Sequence, residues 1–452
     1  MNEFAGKQVL VLGAGISGIS VAETLCRLGA SVTLNDSKSE EAIGRDLSHL
    51  RKSGIKLALG KQDEALLADL DIVILSPGIS IYNPLVAAAS ARGIMVMSEV
   101  EVAYRLCPAP IVAITGTNGK TTTTTLVGEM LRAAGADVVV GGNIGLALSH
   151  EVKGVDSESI VVAEISSFQL EGVSRFQPHI AAILNLTPDH IDRHRTMENY
   201  QSMKERIFAN QTDRDYTILN YDDPLVRSMS QRTAAQVIYF SRQQELPSGV
   251  FLRDGVITVK WQEETIIVCP VSEMKIFGAH NVENALAACA CAYFAGANHK
   301  HMAQVLKTFA GVEHRIEPVA TVNGVPYFND SKATNPESSI KALEAFPGNV
   351  ILIAGGRDKN TDLTEFMTLI KARVDHLILL GEAKSRFLQT AQQHGVKHIH
   401  QVDTFEDGVK LAHRLAVPPQ VVLLSPACAS YDMFQNYEER GRVFKRLINS
   451  LA

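Results

Sequence analysis

The stretch ITGTNGKTTTTTLVGEML, residues 114–131, decides how the rest of the chain is read. The apolar run IVAIT (111–115) leads into two glycines, a lysine and a threonine, and the residues after Lys120 keep the apolar spacing of a helix. Strand, glycine loop and helix in that order turn backbone N–H groups toward an anion. The lysine then reaches the outer phosphates and the hydroxyl serves Mg2+. The full phosphate-loop pattern places a glycine six positions before the lysine, where this chain has Ile114. ATP is the expected ligand of Gly116, Thr117, Asn118, Gly119, Lys120, Thr121 and Thr122; a helix-capping turn is the bland alternative. Glu164 closes the apolar run SIVVAE (159–164), where enzymes with such loops carry an acid near the metal.

A second loop lies about a hundred residues earlier, in VLVLGAGISGISVAETL (9–25). Gly13, Gly15 and Gly18 follow a strand and open a helix, and Asp36 ends the next strand at the spacing of a ribose-binding carboxylate. Alone, this fingerprint suggests NAD. Its physical content is narrower: amides at a helix N-terminus face an anion, such as a diphosphate. A tight turn without a ligand is the alternative. Ser76-Pro77-Gly78, after the run DIVIL, adds donors to the same crevice.

At 452 residues the chain exceeds one core, so two or three domains are expected. The net charge of −6 offers no basic footprint for nucleic acid. The runs QVLVLG, SVTLND, DIVILSPG and IMVMSE alternate with helical stretches over residues 1–98. A second series (IVAITG, DVVVGG, SIVVAE, IAAILN, YTILN) occupies 99–313, and a third (NVILIAGG, HLILLGE, VVLLSPA) occupies 314–452. β-branched strands alternating with helices specify parallel sheets, giving three α/β domains with those boundaries. Six scattered cysteines (Cys26, Cys107, Cys269, Cys289, Cys291, Cys428) form no secretory framework and are expected to be reduced. ALAACACAYFAGA (285–297) is too short to span a bilayer and is expected to be a buried helix. The chain enters its first strand almost at once, leaving no room for a signal peptide, so the cytoplasm is the expected location.

ITGTNGKTTT, EISSFQL (164–170), ILNLTPDHIDRH (183–194), GAHNVENALAA (278–288), GVEHRIE (311–317), NDSKATNP (329–336) and SPACASYDMF (425–434) together resemble the Mur ligases of peptidoglycan synthesis, in order and over essentially the whole chain. The short form of the phosphate loop is that family's own, which answers the objection raised by Ile114. NDSKATNP and SPACASYDMF point to the D-glutamate-adding branch.

The resemblance implies a Rossmann-like first domain that binds the UDP of a sugar nucleotide, not NAD. It implies a central P-loop ATPase-type domain and a Rossmann-like C-terminal domain for the amino acid. The implied reaction joins D-glutamate to UDP-N-acetylmuramoyl-L-alanine through an acyl phosphate, releasing ADP and phosphate. Ile16, Ser17, Asp36, Ser76, Gly78, Asn143 and Gln169 fall at sugar-nucleotide positions. Thr121, Glu164 and His190 are implied Mg2+ ligands at two sites, with Lys204 carrying a CO2-derived carbamate. His280, Asn281 and Asn284 fall on the adenine side, Arg315, Asp330 and Lys332 continue the ATP site, and Thr334, Lys359, Ser430 and Tyr437 match D-glutamate contacts. Tyr437 stands where many relatives have Phe. By pattern alone Lys204, in ENYQSMKERIF (198–208), is a solvated helical lysine and His190 a plain loop histidine. The i,i+4 pair His190 and His194 lacks the intervening H-E-x-x-H of a zinc helix, so zinc is rejected. The family also implies a monomer.

Three rival readings remain. A folylpolyglutamate-synthase-like ligase shares the GTNGKT core but has no UDP-binding first domain. An NAD-dependent oxidoreductase leaves Lys120, Glu164 and NDSKATNP without a task. A non-enzymatic nucleotide switch has no use for an amino-acid pocket.

Overall fold

The computed structural model describes residues 3–358 and 361–451. Three sheets follow one another along the chain. The first is wholly parallel, in the order Lys56–Leu59, Ser31–Asp36, Gln8–Leu12, Ile72–Leu75, Met95–Ser98. Strand order reverses between Gln8–Leu12 and Ile72–Leu75, and a crevice opens at such a switch point beyond the carboxyl ends of the strands. The glycine loop follows the first of these strands and Ser76–Gly78 follows the second.

The middle sheet has nine strands, with Ile111–Thr115 between Ile160–Glu164 and Ile180–Ile183. Every residue of Ile111–Thr115 and Ile180–Ile183 is buried, as expected for parallel strands covered on both faces. Their carboxyl ends therefore deliver the phosphate loop, Glu164 and the segment 184–190 to one edge. An antiparallel extension, Gly249–Arg253, Val256–Trp261 and Glu264–Pro270, was not among the expected strands. The third sheet is parallel except for Glu317–Val322, which pairs antiparallel with Val325–Asn329.

The chain resolves into two compact units, one running to Glu273 and including Glu283–Lys307, the other made of Met274–Val282 and Thr308 onward. The first two sheets belong to one unit. The helix Glu99–Leu106 serves both of their cores: Val102 packs with the first sheet, Val100 and Ala103 with the second. Between them Glu101 is fully buried, its carboxylate accepting the backbone N–H groups of Ser174, Arg175 and Phe176 and the Arg105 guanidinium at 2.8 Å. A carboxylate buried in this way has to be satisfied by several donors. The helix Ala279–Phe294 is sealed from water over Ala285–Ala292, as its small apolar residues suggest, and Cys289 and Cys291 are buried free thiols. Among the described residues no helix is long and apolar enough to cross a membrane.

Gly18 sets the tightness of the first loop, because a Cβ there would lie 1.8 Å from the Gly13 carbonyl oxygen, a backbone atom that cannot swing aside. Gly18→Ala should therefore destabilise the chain by about 1–3 kcal/mol. A lowered urea midpoint is the expected result; an unchanged midpoint would contradict the close approach.

Candidate active site

The phosphate loop is held by the segment that follows the neighbouring strand. Thr117 N–H donates to the Asn185 carbonyl (3.1 Å), Asn118 N–H to Asn185 Oδ1 (2.8 Å), and Thr117 Oγ1 to the Thr187 carbonyl (3.2 Å). Gly116 (φ +156°) and Gly119 (φ +83°) make the turns that other residues resist. A Cβ at Gly119 would lie 2.1 Å from Asn284 Oδ1, so Asn284 rests directly on the loop. The helix Lys120–Ala133 starts without a side-chain cap, and its first-turn amides open at the loop.

Two amines meet at this loop. Lys120 Nζ donates to the carbonyls of Gly116 (2.9 Å) and Thr117 (2.8 Å). Lys204 Nζ donates to the same Gly116 carbonyl at 2.9 Å and lies 4.6 Å from the centre of the Tyr200 ring. Lys204 is not a solvated helix residue: it is 1% exposed. Burial first, then repulsion from Lys120, pushes its pKa well below the usual lysine range, against a smaller opposing pull from Asp189. Both effects favour the neutral amine more than in an exposed lysine.

Glu164 pairs in register with Ile114, so its side chain emerges beside the loop. Oε1 accepts from Asn143 Nδ2 at 2.7 Å, while Oε2 is buried and has no hydrogen-bond partner. Thr122 Oγ1 and Thr187 Oγ1 are likewise buried without partners. A half-satisfied buried carboxylate beside a phosphate loop fits a divalent cation. His190 is half exposed, has φ +54°, and places its ring 4.7 Å from Phe168; His194 rests against the same ring at 5.5 Å and meets Ser167 Oγ at 2.9 Å through Nε2.

Beside Asn143 lies a cavity of about 380 Å³. Ile16, Ser17, Ser76, Gly78, Asn143 and Gln169 all line it, together with Arg45 and Pro77. Six of the seven expected sugar-nucleotide residues therefore converge on one space. Asp36 does not line it; its carboxylate accepts the Ala14 N–H (2.8 Å) and the Lys38 N–H (2.9 Å), bracing the glycine loop from behind. Gln169 Oε1 also accepts from Ser166 N–H, closing a capping box. Arg193 ties this cavity to the middle sheet: it donates to the carbonyls of Pro77 (2.8 Å) and Ile79 (2.9 Å) and forks onto Glu171.

In the other unit, Arg440 is almost fully buried and donates to Ser331 Oγ and the Ser331 and Cys428 carbonyls, joining NDSKATNP to SPACASYDMF. Ser331 Oγ donates in turn to the Tyr437 carbonyl at 2.8 Å, and Lys332 Nζ stands 5.7 Å from the Tyr437 ring centre. Ser430 is buried within the same segment, and Thr334 N–H bonds back to the Lys332 carbonyl. Asp330 accepts from Ile316 N–H and Ser425 Oγ, and burial raises its pKa to about 7 despite the Arg315 charge. His280 is held neutral, down to about 4, by burial and then by Arg315 and Lys341. Asn281 donates to the Phe277 carbonyl. Lys359 lies outside the described residues.

Family models match consecutively along the chain: a Mur ligase MurD-like N-terminal domain over 7–98, a Mur ligase middle domain over 114–292, and a Mur ligase glutamate ligase domain over 314–428. The chain is 45% identical over 451 residues to a UDP-N-acetylmuramoylalanine–D-glutamate ligase of Pelotomaculum thermopropionicum, covering 100% of this chain and 99% of that one. It is equally identical to the ligase of that description from a Thermoanaerobacter species, covering 99% of each. The chain belongs to the Mur ligase family. Solved structures agree in fold: UDP-N-acetylmuramate-alanine ligase MurC of Thermotoga maritima aligns with a TM-score of 0.61 at 20% identity, over 99% of this chain and all of that one. A pseudomurein peptide ligase of Methanothermus fervidus aligns with the same TM-score at 17% identity, over 99% and 100%.

Mur ligases form amide bonds at the expense of ATP, so the folylpolyglutamate-synthase-like and NAD-dependent readings are not favoured. Three residues of this Mur ligase escaped the sequence reading. Arg45 sits in an exposed polar loop, Arg193 within the TPDHIDRH run beside a more conspicuous histidine, and Arg440 on a charged amphipathic helix. Each looks like a solvated arginine until the tertiary contacts are seen.

Because Asp330 titrates near 7 in the folded state against an ordinary 3.8, its neutral form stabilises the fold at low pH, and that contribution is lost as pH rises through about 7. Urea unfolding of Asp330→Asn should show a smaller loss of stability between about pH 5 and pH 8 than the parent. Equal slopes would mean that Asp330 is already ionised in the native state.

Proposed function

We propose that this Mur ligase adds D-glutamate to UDP-N-acetylmuramoyl-L-alanine with ATP, in the cytoplasm and as a monomer. The observation that carries this reading is the end-to-end identity to D-glutamate ligases, in a chain whose expected sugar-nucleotide residues converge on one cavity. Residues 1–98 hold the sugar nucleotide, 99–313 ATP, and 314–452 the amino acid.

The L-alanine carboxylate attacks the γ-phosphorus of ATP, the bond to the β,γ-bridging oxygen breaks, and ADP leaves. The D-glutamate amine then attacks the acyl phosphate carbon; a tetrahedral adduct loses a proton from nitrogen and expels inorganic phosphate. A carboxylate must approach a polyanion in the first step, so cations have to converge there. Gly116 to Thr122 cradle the phosphates, with Lys120 directed at the outer ones. Mg2+ bound here would supply charge that neutralises phosphate oxygens. Thr121, Glu164, His190 and Lys204 are its proposed ligands, at two sites. The buried Glu164 Oε2 without a partner supports a cation there.

Lys204 needs chemistry before it can serve. Its neutral amine can add CO2 and release one proton, leaving a carbamate whose oxygens suit Mg2+. The depressed pKa and near-complete burial support that reading. Arg315, Asp330 and Lys332 act on ATP, and His280, Asn281 and Asn284 on its adenine side. Thr334, Lys359, Ser430 and Tyr437 bind D-glutamate, with Arg440 positioning the last two segments.

Phosphate release from ATP should require UDP-N-acetylmuramoyl-L-alanine and should continue through many turnovers only when D-glutamate is added. Lys120→Ala should abolish release and leave binding of the sugar nucleotide nearly intact, as measured by calorimetry. Loss of both in a folded variant would show that the two glycine loops do not divide the substrates in this way. Lys204→Ala should lose at least 100-fold in kcat, roughly the loss of one strong electrostatic contact. Short carboxylates such as acetate should partly restore it. Near-full activity, indifferent to acetate, would remove the carbamate from the mechanism.

A further inference from the structure

Outside the ligase site, three histidines meet at the edge of the C-terminal sheet. His376 lies on Val374–Leu380, while His398 and His400 lie at the edge strand Ile399–Gln401. The strands are parallel, with Leu377 opposite Ile399 and Ile378 opposite His400. Side chains alternate faces along a strand. Leu377 and Ile399 pack into one core, and Ile378 into the core on the other face, so all three histidines share the face of Ile378.

The rings are in contact. His376 Nδ1 and His400 Nε2 are 3.2 Å apart, and the His376 ring centre lies 5.2 Å from that of His398 and 5.3 Å from that of His400. Two nitrogens bound tetrahedrally to one zinc at about 2.0–2.1 Å stand about 3.3 Å apart, so the His376–His400 separation is already that of two ligands on one ion. His398 is exposed and its ring stands beside that of His376, so a third imidazole is at hand although its nitrogens do not yet converge with the other two. Among the described residues no carboxylate pairs with any of the three.

The rival metal-like group, Glu313, His314 and Glu317, lacks this openness. Lys445 Nζ already pairs with Glu313 (2.6 Å) and Glu317 (2.9 Å), making it an ion-pair cluster.

We propose that His376, His398 and His400 form a binding site for a divalent transition-metal ion of the zinc, nickel or copper type, separate from the Mg2+ chemistry of ligation. Three imidazoles from adjacent strands suit such ions and leave a fourth position for water. The ion would clip the three-residue edge strand to its neighbour and stabilise the C-terminal domain. The bland alternative is a histidine cluster that binds no ion at useful concentration.

The test is calorimetric titration of untagged, full-length protein with ZnCl2 in excess Mg2+, together with Co2+ absorption to report tetrahedral nitrogen ligation. His376→Gln, His398→Gln and His400→Gln should each weaken one stoichiometric site roughly tenfold or more. His150→Gln, an exposed histidine on the other unit, should not. Zn2+ should raise the melting temperature of the parent and not that of the three variants, while ligase turnover stays unchanged in all of them. Equal Zn2+ affinity across the parent and all variants overturns the site. Unchanged affinity in His398→Gln alone overturns the three-ligand set.

Discussion

The catalytic half of this molecule depends on how closely backbone can approach backbone at residues 115–120. Gly116 packs tightly against Leu184 and Gly119 against the Asn284 side chain, and both take positive φ that other residues resist. The loop is also bonded to Asn185 and Thr187 on the segment after the neighbouring strand. Because that segment runs on to His190, holding the loop also sets where the candidate metal-binding residues begin. The helix Lys120–Ala133 then has a single direction in which to present its amides.

The electrostatics follow from this crowding. Lys120 and Lys204 bond to one carbonyl, and burial together with the Lys120 charge lowers the pKa of Lys204. Glu164, also buried, keeps one oxygen on Asn143 and the other without a partner. A reactive amine and a half-satisfied carboxylate are costly arrangements in a dry interior, and such groups concentrate at functional sites. Asn143 belongs to both regions: it lines the cavity and bonds to the carboxylate, coupling the cavity to the acid. Arg193 and Glu101 do the mechanical counterpart, fastening the first sheet's loops and helix to the middle sheet through buried charge–dipole contacts.

Much of this was legible in the chain. The β-branched runs specify parallel strands, and the glycine loops carry their strand-to-helix context with them, because these signals are local in sequence. The readings fell short where polar strands alternate or lie at edges, as in Glu264–Pro270 and Ile399–Gln401. Two hairpin signals are present in the chain. Asp254-Gly255 and Asn323-Gly324 take the positive φ of tight turns and join the antiparallel pairs that were missed.

The sequence by itself determined the fold class, the two anion-binding loops and the identity of the residues available for chemistry, because each depends on spacing along one element. Tertiary structure decided which lysine is buried against the loop, that Asp36 braces a loop instead of lining the cavity, and that Arg193 and Arg440 tie distant segments together. Those outcomes depend on burial and on partners distant in sequence. A charged side chain reads the same in a one-dimensional pattern whether water or a buried carbonyl surrounds it.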